Sequence, residues 1–384
     1  MRKYSMKAML VIAVMMGLGL GLASCSKDDN AVINPETPGV PGDGGVPGDG
    51  GQAVLIGGPG KVIPLNELFS DAIIADSTTL TGTLDGEKQP YKISIANGAT
   101  VTLDGVAING VHIMGDQECL WAGLTCEGDA TLILADSTVN TVKNFNKYYP
   151  CIHVPAGHKL TIQGSGSLEA VNKYFGAGIG GGNGINCGNI TISGGNVTAL
   201  GGMYAAGIGS GYGATCGNIN ITGGTVTSTG GNYGAGIGSG HKATCGNITI
   251  LGGTVLAQGG DGAAGIGCGM GHNNRPSICG NIFIAMTDDV DLSVTAIKGH
   301  SASYPIGLSN NRKHDLNICG VITFGGGIID GQIIYSGEVI YDGGRNYDYN
   351  PENGDYESLR LTISSSDPED SEKINDTWTL TYAW

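Results

Sequence analysis

Cationic side chains recur at one place in this sequence: His241 with Lys242, His272 with Arg275, and Arg312 with Lys313 and His314. Each group follows shortly after an Ile-Gly pair, so the three occupy related positions of a repeating pattern. Of their neighbours only Asp315 opposes them. On an acidic chain such an edge would draw an anion, for example a uronic-acid polymer or a sulfated or sialylated glycan; the competing reading is a solvated rim. A second column, Tyr174 with Phe175, then Tyr204, then Tyr233, precedes the same pair. Aromatic rings on a glycine-rich edge can pack on sugar rings while the tyrosine hydroxyls stay wet, or they can cover the neighbouring turn. Both readings stand at this level.

Carboxylates are thin where catalysis would need them. Asp288, Asp289 and Asp291, with Lys298 and His300, form the one dense cluster, all from a single unit. Two-carboxylate glycoside hydrolysis requires groups facing each other across about 5 to 9.5 Å, which adjacent chain positions do not guarantee. Asp348, Asn350, Glu352 and Asp355 around Gly354 approach a calcium loop, but the glycine falls one place late and Pro351 intervenes, so an acidic surface loop is the stronger reading. No cofactor is expected.

Ten cysteines occur, and five of them, Cys187, Cys216, Cys245, Cys279 and Cys319, share one place in successive units. Buried cysteine behaves as a small apolar residue, so a column of free core thiols is the leading expectation. Bridges between neighbouring units are the alternative, since strands about 4.8 Å apart lie within disulfide reach. An odd column cannot pair completely, and no Cys-x-x-Cys spacing points to metal. Asn189, Asn218, Asn247 and Asn281 make a parallel column two residues on, read as an amide ladder.

The elements that position these columns come from a repeat. The Ile of each Ala-Gly-Ile-Gly segment stands at 179, 208, 237 and 266, a constant step of 29 residues. Weaker units can be followed by Val101, Leu132, Leu160, Ile190, Ile219, Ile248, Ile282 and Ile322, which gives about eight units over residues 95–330. Within one unit, Ala206 and Ile208, Ile219 and Ile221, and Val226 and Ser228 alternate with period two, so the segments are strands separated by glycine-rich corners. Glycine, at 70 of 384 residues, is too frequent for a helical protein, and too irregularly spaced for collagen. The expected fold is all-β, a single-stranded right-handed parallel β-helix of about eight coils. A propeller blade would need four strands in a longer unit, and a leucine-rich horseshoe would show regular Leu.

Acidic side chains outnumber basic ones 34 to 19, a net charge of −15, so a nucleic-acid partner is not expected. The chain divides into 1–24, an export signal with Arg2, Lys3 and Lys7 before an apolar run; 25–53, a Pro- and Gly-rich linker; 54–94, an N-terminal cap; 95–332, the repeats; and 333–384, a small β cap. Within the front cap, 62–75 is expected to give a helical turn or a short strand.

Leu22-Ala23-Ser24-Cys25 resembles the lipobox of bacterial lipoproteins, which implies lipid on Cys25 and a tether to the outer membrane. Ser26-Lys27-Asp28-Asp29 resembles the acidic surface-export signal of lipoproteins in some anaerobic Gram-negative bacteria. The repeated Gly-Ala-Gly-Ile-Gly and Cys-Gly-Asn-Ile-Thr-Ile elements resemble those of surface lipoproteins of gut anaerobes described as adhesin-like or carbohydrate-binding β-helices. That resemblance implies a non-catalytic binder of polysaccharide or host glycan. The coil pattern is also similar to pectate lyases and related polysaccharide-degrading β-helices, which leaves a lyase or hydrolase as the alternative and a purely structural surface protein as the third.

Overall fold

The structure, a computed structural model, describes residues 53–112, 119–272, 275–285, 292–302, 304–309, 317–329, 332–339, 359–364 and 377–382, with side chains through residue 323. These lie in the compact unit Gly45–Trp384. Cys25, the cluster of Asp288, Asp289 and Asp291, the group of Arg312, Lys313 and His314, and the loop bearing Asp348, Asn350, Glu352 and Asp355 lie outside the described residues.

Three sheets carry the chain: the first takes one strand from each coil, the narrow second takes strands from four coils, and the third takes one or two strands per coil. The first holds ten parallel strands, from Val54–Ile56 at the front to Ile306–Gly307 at the back. Its strands in the glycine-rich region are two residues long, Ile179–Gly180, Ile208–Gly209, Ile237–Gly238 and Ile266–Gly267, paired Ile to Ile and Gly to Gly. A second, narrow sheet stacks Thr215–Cys216, Thr244–Cys245, Ile278–Cys279 and Ile318–Cys319 in register. The third sheet is the largest and carries the long strands, such as Ile219–Thr229 on Ile248–Gln258.

Alternation explains why these segments stack. Ala206, Ile208, Ile219, Ile221, Val226 and Ser228 are all buried, and the residues between them are mostly outward and polar. Each coil therefore offers an apolar inner face that it cannot bury alone, and burial is completed by its two neighbours. The Ile-Gly glycines permit the tightest approach. Gly209 has φ +135°, and a Cβ there would overlap the carbonyl oxygen of Gly238 in the next coil. Only glycine meets both conditions.

Two expectations are corrected. The stack is ten strands deep, not eight, because Val54–Ile56 and Ala72–Ile74 join the same sheet in front of Ile93–Ile95, without the glycine signature that marks the later coils. Residues 62–75 supply part of the strand Lys61–Pro64, a single 3-10 turn at Leu65–Glu67 and the strand Ala72–Ile74. The anchor series also slips once: Leu132 pairs with Ile162, and Leu160 pairs with Ala130. A slip of two preserves the side-chain parity, so both residues still point inward and the sequence pattern does not reveal the shift.

At the far end parallel pairing stops. Gln332–Val339 runs antiparallel to Ile322–Ile329, and Thr377–Tyr382 runs antiparallel to Leu292–Ile297 and to Leu359–Ser364.

Candidate ligand-binding groove

Parts of the two columns singled out in the sequence meet in one place: Phe175, Tyr204 and Tyr233 of one with His241, Lys242 and His272 of the other. After each Ile-Gly strand the chain folds back, and its next corner hydrogen-bonds to the aromatic corner of the preceding coil. The backbone N–H of His241 donates to the Tyr204 carbonyl at 2.8 Å, and that of Met270 donates to the Tyr233 carbonyl at 2.9 Å. Asn183 donates likewise to Tyr148 at 2.7 Å. The result is an open-sided cavity of about 400 Å³. Its aromatic wall is Phe175, Tyr204 and Tyr233, its floor is the column Asn183, Tyr212, His241 and Met270, and Lys242 and His272 stand at its edge.

Repetition at 29 residues builds both sides. Phe175, Tyr204 and Tyr233 are equivalent positions, and the next equivalent is Gly262. Their rings stack nearly parallel: Phe175 on Tyr204 at 5.9 Å and 9°, Tyr204 on Tyr233 at 5.6 Å and 7°. Tyr148 extends the stack on Phe175 at 5.9 Å. Beyond Tyr233, Gly262 leaves space that the Met270 thioether fills. The ring faces are thus turned to one another, and a ligand in the groove meets ring edges and hydroxyls. Asn183, Tyr212, His241 and Met270 are also equivalent by the same step, and they differ from coil to coil while the strands around them do not.

His241 is buried among Tyr204, Tyr212 and Tyr233, with ring centroids 5.4 to 5.6 Å away. Its Nδ1 donates to the Met270 carbonyl, because a carbonyl only accepts; this fixes the proton on Nδ1 in the neutral ring. Lys242 is more informative. It has φ +54°, in the left-handed region, where the equivalent residues Gly184 and Gly213 have φ +68° and +62°. A β-carbon in that region costs about 1–2 kcal/mol. Lysine is therefore held where two sister coils use glycine, and among the described residues it makes no ion pair.

Of the other candidates, Tyr174 lies outside the stack, with His112 edge-on at 5.8 Å. Arg275 is exposed on the hairpin that pairs it with His272, beside the groove and not among the residues lining it. Tyr148, Tyr212, Asn183 and Met270 were not singled out from the sequence. Reading positions 183, 212, 241 and 270 as one column would have found three of them. Among the described residues, no carboxylate lines the cavity.

Two further columns resolve into structure. Asn189 Oδ1 accepts from the N–H of Asn218, Asn218 from Asn247, and Asn247 from Asn281, each at 2.8 Å. In the cysteine column, Cys187 and Cys216 form a disulfide, where free thiols were the leading expectation, while Cys245, Cys279 and Cys319 are buried thiols. Adjacent parallel coils bring their Cα atoms to 4.5 Å, inside bridging range.

Four segments, 160–183, 190–212, 219–241 and 248–270, match a family model described as a beta helix repeat. Each matched segment begins in the large sheet and ends on the groove floor, at Asn183, Tyr212, His241 or Met270. A search of curated proteins and a search of solved structures found no match. The class defined by these observations is an all-β chain of parallel strands carrying β-helix repeats.

Proposed function

We propose that the groove binds an anionic carbohydrate, a stretch of uronic-acid polymer or a sulfated or sialylated glycan, without turning it over. The protein would present it on a right-handed solenoid tethered through lipid on Cys25 at the outer face of the outer membrane. The observation that carries this reading is the lining: Lys242, His241 and His272 beside tyrosine edges, with no carboxylate among the described residues, on a chain of net charge −15. A cavity of that size takes a small ligand or a short piece of a polymer. Tyrosine hydroxyls donate to sulfate or carboxylate oxygens, and the lysine ammonium supplies the charge. Glycoside hydrolysis by paired carboxylates lacks its pair among the lining residues.

Lys242→Gly separates binding from folding, because glycine is the native residue at the equivalent positions 184 and 213. On an array of anionic and neutral glycans the protein should retain anionic members. The variant should keep its thermal midpoint and lose about tenfold or more in affinity, the order expected for one charge-assisted contact. Equal retention by the two proteins, or retention of neutral glycans alone, would overturn the reading.

A further inference from the structure

The odd cysteine column raises a counting problem that the structure resolves with a sixth residue. Cys279 is the register partner of both Cys245 and Cys319 on adjacent parallel strands. The three cysteines are therefore neighbours in the order 245, 279, 319. Cys268 comes from the corner after Ile266–Gly267 and not from the column, yet its Sγ donates to the carbonyl of Ile318, the residue before Cys319, at 3.2 Å. Register and this contact order the four residues as 245, 279, 319, 268. Cys216, the other register partner of Cys245, is already bridged to Cys187.

We propose that these four thiols are a site of oxidation and close as two further disulfides, Cys245–Cys279 and Cys268–Cys319, giving three bridges with Cys187–Cys216. Only this pairing leaves none of these four thiols without a neighbour to bridge. A Cys279–Cys319 bridge would isolate both Cys245 and Cys268. The coil spacing already accommodates one bridge in the same column. A line of sulfurs on stacked strands does not make the tetrahedron that zinc requires, and among the described residues no cluster fit to hold a metal is present.

The oxidant is a disulfide. A cysteine thiolate attacks it to give a mixed disulfide and one released thiol. The neighbouring cysteine thiolate then attacks the mixed disulfide and expels the second thiol. Each bridge thus transfers two electrons to the oxidant, and the two cysteine protons end on the two released thiols. Burial holds the Cys268 thiol well above its ordinary range, and the neighbouring Cys245 and Cys319 thiols, together with burial, do the same for Cys279, so bridging belongs to folding, before the coils close over the sulfurs.

The test uses the full chain, reduced and denatured, then refolded in a mixture of reduced and oxidised glutathione. Remaining thiols are blocked with maleimide in denaturant without reductant, and peptides are mapped unreduced. The expected map shows the three bridges, with Cys119, Cys126 and Cys151 blocked by maleimide and Cys25 either lipidated or blocked. In Cys279→Ser, Cys245 should become blocked while Cys268–Cys319 persists. A Cys279–Cys319 bridge, maleimide on all four cysteines, or stoichiometric zinc shielding them in the refolded protein would each overturn the proposal.

Discussion

The front coils, residues 99–171, and the glycine-rich coils, residues 176–267, solve one problem in two ways. Both must close corners and link each coil to the next through buried polar groups. The front uses side chains made for single positions. Asn140, fully buried, accepts from the Val106 N–H at 2.9 Å and donates to the Ser167 carbonyl at 3.0 Å. Asn146 and Asn172 hold the corner backbone through the N–H groups of Tyr148 and Tyr174, each at 2.9 Å. Phe145, also fully buried, packs near Trp121. The later coils place Gly201, Gly230 and Gly259 at the positions equivalent to Asn172 and repeat one set of contacts. At those corners a side chain has no room: a Cβ at Gly201, Gly230 or Gly259 would meet the carbonyl oxygen of Ala206, Gly234 or Ala263. Individual solutions tolerate irregular spacing; repeated ones hold a surface column in register.

Substitutions should expose this difference. Gly209→Ala places a methyl on the Gly238 carbonyl at a left-handed φ, and its neighbours have the same constraint and cannot yield. A loss above about 4 kcal/mol in urea unfolding is expected, with exchange protection lost in the coils on both sides. A loss below about 1 kcal/mol would show that the repeated stack yields where this comparison says it cannot. Phe145→Ala should cost about 3–4 kcal/mol by emptying its site, but the exposure of amides should stay within the front coils. Spread of that exposure past residue 200 would erase the distinction. Asn218→Ala removes one rung of a repeated ladder at the surface, and about 1 kcal/mol is expected.

The smallest effect is on pH, and it should fall on the front alone. The inter-coil ladder there contains Asp129, whose carboxylate accepts from the Lys159 N–H at 2.9 Å, where later coils use asparagine. That hydrogen bond and the nearby His158 hold its carboxyl below the usual range, against a small desolvation effect. The stabilisation is present above the unfolded pKa and is lost as pH falls through the lower, folded one. Asp76, held down mainly by the Thr100 N–H, behaves in the same way. Hydrogen exchange compared at neutral and strongly acidic pH, corrected for intrinsic rates, should show protection falling around residues 100 and 159 before it falls around 218 and 247. Simultaneous loss would mean that the ladder chemistry does not matter to either region.

How far the sequence could be read follows the same division. The constant step of 29 marked the later coils, their inward residues and their asparagine ladder. The two foremost strands of the first sheet lack that step and were not counted as coils, and the Leu132 register was assigned two residues off. Half of the groove was legible as two columns of aromatic and cationic residues. That they form one site was not, because the contact joins His241 to Tyr204, 37 residues apart, through a backbone hydrogen bond.

The sequence by itself determined that this chain is built of stacked strands with glycine corners. Period-two alternation and a fixed repeat length are local properties, enforced by burial of one face. Tertiary structure alone decided which corner touches which, that aromatic faces are spent on one another, and that Cys268 meets a column to which it does not belong. Those outcomes depend on the path of the backbone between coils. A left-handed lysine in a column of glycines acquires meaning only once that path has aligned them.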